Sequence, residues 1–508
     1  MKNLKNSKPG TLTFEGSYTA TLFSKEIAAS LEGVLRKNYF GPLNTHSVGF
    51  VQASVDGRGW TNTMWTRDAG VFLRELIHWG YFGHACMTAE CLIDYVEKNE
   101  EGFNCFPEHF IRGEKGSGSE LDGTGAIIIS FVLLCERLTS DNPTRKKICD
   151  FLFQSSSPLQ FILKTLKEQL FVPGSGEFGG GCGIDGFYYN VVQNGLCRIA
   201  LIAGSRLAKL CDEPTLAKNY RSAAEHLEKN MLTHFVDDNN SWIWCLDIST
   251  LKPDEAIVKH YINDGFGGIN GVVGMQSDVL GMKPEPADWM GYDISQNTFQ
   301  QLFSFPLRKE QFEKYGIWTQ FNQPPYHLMV SPSYGHGYAL MCMLLFDEPE
   351  MTGRALDFLA LATYQPTTGY VVNRESPYWF YERYFSPDLP NPETWGESCG
   401  ALNLVCVAEP LKVSRLVAGI DDTDVGNTVI IPRLPESWTG YKATQWPVYT
   451  TNGVVHIDIS WQKSGDTIHV KLKTYDNKVI PKLTLYYGNK EHRKAKTLEQ
   501  VSSLDMKL

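Results

Sequence analysis

Long apolar runs are missing from this sequence. None of its 508 residues fall in a stretch apolar enough to span a bilayer, and the first residues, "MKNLKNSKPGTLTFEGSY", lack the apolar core of a signal peptide. No membrane partner is expected, and the cytoplasm is the expected location. Runs rich in Lys and Arg are also missing. With a net charge of -10, that argues against a nucleic-acid partner. The 12 cysteines are scattered singly, without CxxC or clustered Cys/His spacing, so a structural zinc site is not expected. Several of them, such as Cys135, Cys197 and Cys342, sit inside helical apolar patterns and read as small buried hydrophobes in a reducing compartment. Neither metal nor cofactor is expected. No motif recurs at a fixed period, which excludes a simple solenoid.

What is present describes a large folded protein. Apolar residues make up 43% and charged residues 20%, the balance of a globular chain. Its length exceeds one small core and suits two domains, or one toroidal domain with an accessory one. Aromatic residues reach 12%, with 12 Trp and 23 Tyr, enough to line a cleft as well as a core.

Along the chain, apolar positions at helical spacing predict helices near 24–36, 68–80, 84–98, 122–138, 157–169, 186–210, 214–231, 294–303, 308–315, 335–346, 351–363 and 397–409. The connections between them are long, notably 100–121, 171–185, 236–293, 317–334 and 364–396. Loops of that length inside a compact domain usually carry function. After Pro410 the period changes. "NTVIIPRLPESW", "GVVHIDISWQ", "DTIHVKLKTY" and "KLTLYYG" alternate, are rich in Val, Ile and Thr, and predict a small antiparallel β domain. The expectation is a mainly α protein: an (α/α)6 barrel over residues 1–410, then a β-sandwich-like domain over 411–508. Loops at one end of such a barrel would form a cleft.

The stretch "NTMWTRDAGVFLRELIHWG" places Arg67 and Asp68 where a helix begins. A plain reading has Asp68 capping that helix at Val71 and Arg67 ion-paired. "WTRDAG" (Trp65–Gly70), however, resembles the W-T-R-D segment of glucoamylases and related six-hairpin glycosidases. "ELDGTG" (Glu120–Gly125), opening the fourth helix, is similar to their L-D-G or N-D-G stretch. "GIDGFYYN" (Gly183–Asn190) resembles the G-x-D motif of trehalases and related α-glucosidases, and "YERYFSP" (Tyr381–Pro387) resembles their E-x-Y segment. These matches occur in family order and span most of residues 50–410.

The resemblance implies an inverting, exo-acting α-glycosidase on short oligosaccharides or glycosides, with a carbohydrate as its partner. It also implies that Arg67 and Asp68 bind hydroxyls of the innermost sugar, a task suited to charged, directional hydrogen bonds. Inversion uses one carboxylic acid to protonate the leaving oxygen and one carboxylate to activate water, roughly 6.5–9.5 Å apart. By motif, Asp185 is the acid and Glu382 the base. Glu177, in the glycine-rich approach "SGEFGGGCGID", is the rival acid, and Glu393 and Glu397 are rival bases. Asp185 also suits an N-cap, and Glu382 suits an ion pair with Arg383 or Arg374. Glu120 and Asp122 either contact substrate or cap the fourth helix. Trp60, Trp65, Trp379 and Trp395 are candidate sugar-stacking rings as well as ordinary core residues. His336, in "SPSYGHGYAL", reads as structural.

Two alternatives use the same barrel. A glycoside phosphorylase would need a basic phosphate pocket, and the 171–185 loop has glycines but no Lys or Arg. A degenerate barrel that only binds carbohydrate would need to lose one carboxylate. A polysaccharide lyase is disfavoured because no basic groove is apparent.

Overall fold

Strand β1 (Thr11–Glu15) leads into helix α1 (Tyr18–Gly33), whose N-cap Ser17 accepts a hydrogen bond from the Ala20 amide. The computed structural model describes residues 9–41, 47–55, 60–174, 188–253, 269–284, 286–304, 306–315, 329–330, 334–364, 384–385 and 402–508. Strand β2 (Thr63–Trp65) runs directly into α2 (Thr66–His78), followed by α3 (Phe82–Tyr95) and β3 (His109–Ile111). Then come α4 (Leu121–Arg137), α5 (Pro143–Phe153), α6 (Pro158–Glu168), β4 (Tyr188–Asn190), α7 (Val191–Leu210) and α8 (Pro214–His234). Strand β5 (Cys245–Asp247) precedes α9 (Ile269–Leu280), α10 (Tyr292–Phe303), α11 (Pro306–Tyr315), β6 (Met329–Val330), α12 (Tyr334–Leu345), α13 (Pro349–Tyr364), β7 (Tyr384–Phe385) and α14 (Leu404–Ala418).

Six of the described helices close on themselves. Helix α2 packs against α4, α4 against α7, α7 against α9, α9 against α12, α12 against α14, and α14 again against α2. The contacts join residues at similar depth from each helix start. Gly70 of α2 lies on Ala126 of α4, Gly125 on Leu196 of α7, Gly195 on Val272 of α9, Gly274 on Met341 of α12, and Gly337 on Glu409 of α14. The six therefore run in the same direction, with their N-termini at one end. Missing side chains at these glycines let the helices approach: a Cβ at Gly195 would stand 2.4 Å from the Val272 methyl. The remaining helices pack outside, α1 against α13 and α8 against α7 being the broadest of these contacts.

Two helices were not expected from periodicity. Helix α5 starts at a proline, which suits its first turn because the missing N–H has no intrahelical acceptor there, and Asn142 caps it by accepting from the Thr144 amide at 2.9 Å. Helix α9 lies inside the expected 236–293 loop. Its glycines, read as loop residues, are the points of close approach to α7 and α12.

The last helix was expected over 397–409 and is found over Leu404–Ala418, with Pro410 inside it. The boundary expected at 410 thus falls within a buried helix, whose αL C-cap Gly419 turns the chain into β8 (Ile420–Asp421). Then follow β9 (Thr428–Ile430), β10 (Gly440–Thr450), β11 (Gly453–Ser464), β12 (Thr467–Thr474), β13 (Ile480–Tyr487), β14 (Lys494–Val501) and β15 (Ser503–Lys507). Among the described residues they form a five-stranded sheet, β1-β10-β11-β12-β15, and a four-stranded sheet, β14-β13-β9-β8. The strand texture after residue 410 is as expected, with two differences. Strand β1 joins from the other end of the chain, and β13 pairs with β9 in parallel. Before residue 410, the described ladders are short antiparallel pairs: β2–β3, β4–β5 and β6–β7.

One apolar cluster runs from the helices into the sheets. Phe14 of β1 and Phe23 of α1 both lie against Trp438, with ring centroids 4.9 and 5.7 Å apart. Arg137, at the end of α4, grips Asp422 through two bonds of 2.8 Å. None of the described helices is long and apolar enough to cross a membrane.

Candidate active site

The helix-start end of the ring gathers the residues of the W-T-R-D and L-D-G stretches. Strand β2 pairs with β3 in the register Thr63↔Ile111, Met64↔Phe110 and Trp65↔His109, which ties the 100–121 connection to the start of α2. Thr66 strengthens the join: its amide donates to the Glu108 carbonyl at 3.0 Å and its hydroxyl to the Pro107 carbonyl at 2.7 Å. Trp65 is thereby held edge-on to Trp60, at 4.7 Å between centroids, and 5.2 Å from the His109 ring. The Trp65 indole N–H is buried without a hydrogen-bond partner among the described residues.

Arg67 and Asp68, in the first turn of α2, are buried. The helix begins at Trp65 with no side-chain cap, so the observed start does not depend on a capping carboxylate at Asp68. Arg67 donates from Nη1 to Asp122 Oδ2 at 3.2 Å and lies 3.7 Å from Asp68 Oδ1. Asp122, in the first turn of α4, is completely buried, and its Oδ1 has no partner among the described residues. The α2 and α4 N-termini favour negative charge at these positions. Glu120 stands at the N-cap of α4 without a side-chain capping bond. Burial, followed by the Asp122 charge and a hydrogen bond to Asp122, pushes the Glu120 carboxyl up to about 11. Glu120 thereby holds its proton strongly at this mouth.

Below this mouth lies a narrow cavity of about 30 Å³. Every helix of the ring reaches it: Arg67, Val71 and Arg74 from α2, Ala126 from α4, Val192 and Leu196 from α7, Gly271, Gly274 and Met275 from α9, Tyr338 and Met341 from α12, and Glu409 from α14. Glu409 is fully buried. Its nearest cation is Arg74, 3.7 Å away, and burial pushes its carboxyl up to about 7.

Deeper still is a charge network that the sequence reading missed. Glu75 accepts from Arg415 at 2.8 and 2.9 Å and from Arg74 at 2.9 Å. Asp278 is bound by Lys412, by Arg74 at 3.2 Å and by Arg415 at 3.1 Å. Burial alone would raise the Asp278 carboxyl, but Lys412, Arg74 and Arg415 outweigh it and hold it down at about 2. These bonds fasten α14 to α2 and α9, which closes the ring. A signal was available: Glu409, Lys412 and Arg415 recur every three residues along an otherwise apolar helix, a charged stripe with no solvent to face.

Of the sequence-predicted site residues, Trp65, Arg67, Asp68, Glu120 and Asp122 come together at the mouth. Asp185, Glu177, Glu382, Trp379 and Trp395, with the rivals Glu393 and Glu397, lie outside the described residues, as does the side chain of His336. In chain order, Glu177 and Asp185 precede α7, and Glu382 and Trp395 precede α14, both ring helices whose starts face the mouth. No group of three or more His, Cys, Asp or Glu among the described residues is arranged to hold a metal.

Comparison with known proteins rests on structure. No family model matches the sequence, and no curated protein matches it. The α-L-rhamnosidase of Aspergillus terreus is similar with a TM-score of 0.56 at 10% identity, over 99% of this chain and 50% of that one. The α-L-rhamnosidase of Dictyoglumus thermophilum gives a TM-score of 0.55 at 12% identity, over 94% of this chain and 45% of that one. A protein described as a wild-type glycosidase gives 0.52 at 13% identity, over 78% of this chain and 96% of that one. This chain thus spans about half the length of the rhamnosidases it matches. At these identities the likeness is one of fold, and the fold is shared with glycosidases.

Proposed function

We propose that this chain is a glycoside hydrolase whose closed helix ring is the inner layer of an (α/α)6 barrel. The observation that carries the reading is the convergence of Arg67, Asp68, Glu120 and Asp122 on the mouth of a ring whose central cavity all six helices line. A buried guanidinium, two carboxylates and a protonated carboxyl offer a sugar both donors and acceptors in one place. Trp65 adds an aromatic face and an indole N–H available to a ligand.

In the proposed reaction, the sugar at the bond to be cleaved sits on Arg67, Asp68 and Asp122, with Trp379 and Trp395 as further stacking rings. Asp185 protonates the leaving oxygen, or Glu177 does so in its place. Glu382 takes a proton from water as that water attacks the anomeric carbon from the opposite face, which inverts it. Substrates are short α-glucoside-like oligosaccharides or glycosides. A second reading, an α-L-rhamnoside substrate, is favoured by the structural likeness to two α-L-rhamnosidases over nearly the whole chain.

A panel of para-nitrophenyl α-D-glucoside, para-nitrophenyl α-L-rhamnoside and natural disaccharides tests the reading, with the first-formed anomer followed by proton NMR. Glu382→Gln and Asp185→Asn should each lower kcat by roughly two to four decades without unfolding the protein. An activated aryl leaving group needs little protonation and should partly rescue Asp185→Asn but not Glu382→Gln. If Glu177→Gln shows that rescue while Asp185→Asn stays active, Glu177 is the acid. Full activity in Glu382→Gln would overturn the pairing.

A further inference from the structure

At the end of the ring away from the mouth, three cysteines converge from three helices. Cys135 lies near the end of α4, Cys149 in the middle of α5, and Cys211 at the C-cap of α7. The sulfurs of Cys149 and Cys211 are 3.4 Å apart. Cys135 is buried, whereas Cys149 and Cys211 are each partly open to solvent. The other seven free cysteines among the described residues are buried. The Cys135 thiol is also 3.9 Å from the Arg145 carbonyl, and Arg145 itself is anchored by donating to the Leu138 carbonyl at 3.0 Å. A neighbouring thiol in contact, partial access and a fixed guanidinium are together the surroundings in which a cysteine reacts.

We propose that Cys149 and Cys211 form a peroxide-responsive thiol pair that closes to a reversible disulfide between α5 and the end of α7. Contact with the Cys135 and Cys211 thiols, together with the Arg145 charge, outweighs burial and holds the Cys149 thiol down, and Cys149 is assigned as the attacking sulfur on the middle of α5. Burial pushes Cys211 up to about 11, which leaves it as the resolving thiol. The oxidant is a hydroperoxide. The Cys149 thiolate attacks one peroxide oxygen, the O–O bond breaks, and the departing hydroxide or alkoxide takes up a proton. Cys149 is then a sulfenic acid. The Cys211 sulfur attacks it, the S–O bond breaks, and the thiol proton leaves with the hydroxyl as water. Two thiols lose two electrons in all, and the peroxide gains them. Reduction by an external dithiol reverses the bond. The linked form should also be harder to unfold, because the bridge ties α5 and the end of α7 in the unfolded chain as well.

The test uses the intact chain. The reduced protein is treated with equimolar hydrogen peroxide, its remaining thiols are alkylated, and it is digested without reduction for mass spectrometry. The expected product is a Cys149–Cys211 linked peptide, released by dithiothreitol, with Cys149 oxidised roughly tenfold faster or more than the buried cysteines. In Cys211→Ala, dimedone should label Cys149, and the rise in thermal midpoint that peroxide causes in the parent protein should vanish. Cys149→Ala should leave Cys211 unoxidised. Melting of each variant in its reduced form shows that it is folded before oxidation. A Cys135–Cys149 link, or uniform slow oxidation across the cysteines of folded protein, would overturn the proposal.

Discussion

The mouth and the floor of the helix ring use the same kinds of residue to different ends. At the floor, Glu75 and Asp278 are each held by two or more cations, and Arg415 bonds to both of them. Five residues on three helices, α2, α9 and α14, are thereby locked around charges that no solvent reaches. At the mouth, Arg67 meets Asp122 through one bond of 3.2 Å, while Asp122 Oδ1 and the Trp65 indole N–H find no partner among the described residues. Buried charges are costly unless paired and hydrogen-bonded. A cluster whose carboxylates are matched by cations within the protein therefore serves the fold, and carboxylates with bonding capacity left over are suited to a ligand.

That contrast predicts opposite phenotypes. The largest effect should come from the floor. Arg415→Ala strips two carboxylates of a partner inside the ring and should lower stability by about 3–5 kcal/mol, measured by urea unfolding. A stability within error of the parent would mean that the network does not hold the ring closed. Next comes Asp68→Asn at the mouth. It should leave the unfolding midpoint nearly unchanged yet lower kcat/KM roughly 10- to 150-fold, the loss of one charged hydrogen bond to substrate and transition state together. If Asp68→Asn instead unfolds the protein, the mouth is structural like the floor.

The smallest effect concerns Glu409, which stands between the two clusters. Its carboxyl rises from 4.5 to about 7 on folding, chiefly through burial, so the folded state holds that proton better than the unfolded chain does. The stability that this contributes is complete below about pH 4.5 and is lost as the pH rises through about 7. Glu409→Gln, permanently neutral, should flatten that part of the profile. Thermal midpoints of both proteins between pH 4 and 8 would check the sign, and parallel profiles would show that Glu409 does not titrate there.

Local pattern carried most of the helices. Helix α2 was legible because Phe72, Leu73, Leu76 and Ile77 repeat at helical spacing, and α4, α7 and α8 for the same reason. Helix α9 was not, because Gly271 and Gly274 look like loop residues until α7 and α12 are seen to need the space. Helix α14 was displaced because Pro410 suggested an end, whereas the helix continues through it. The candidate mouth was legible only as short motifs. Arg67 and Asp122 are 55 positions apart, and no local periodicity states that they bond.

By itself the sequence determined most of the segments that become helix or strand, since that choice largely follows from the period of apolar residues within one segment. It also determined the excess of negative charge and the absence of long apolar spans. Tertiary structure alone decided which helices form the ring, that β1 crosses to the sheet at the other end of the chain, and that Glu75 pairs with Arg415 across 340 positions. It likewise decided which carboxylates are matched and which keep an atom unpaired. Those outcomes depend on burial and on partners brought from distant segments, and desolvation acts only once the chain has closed around them.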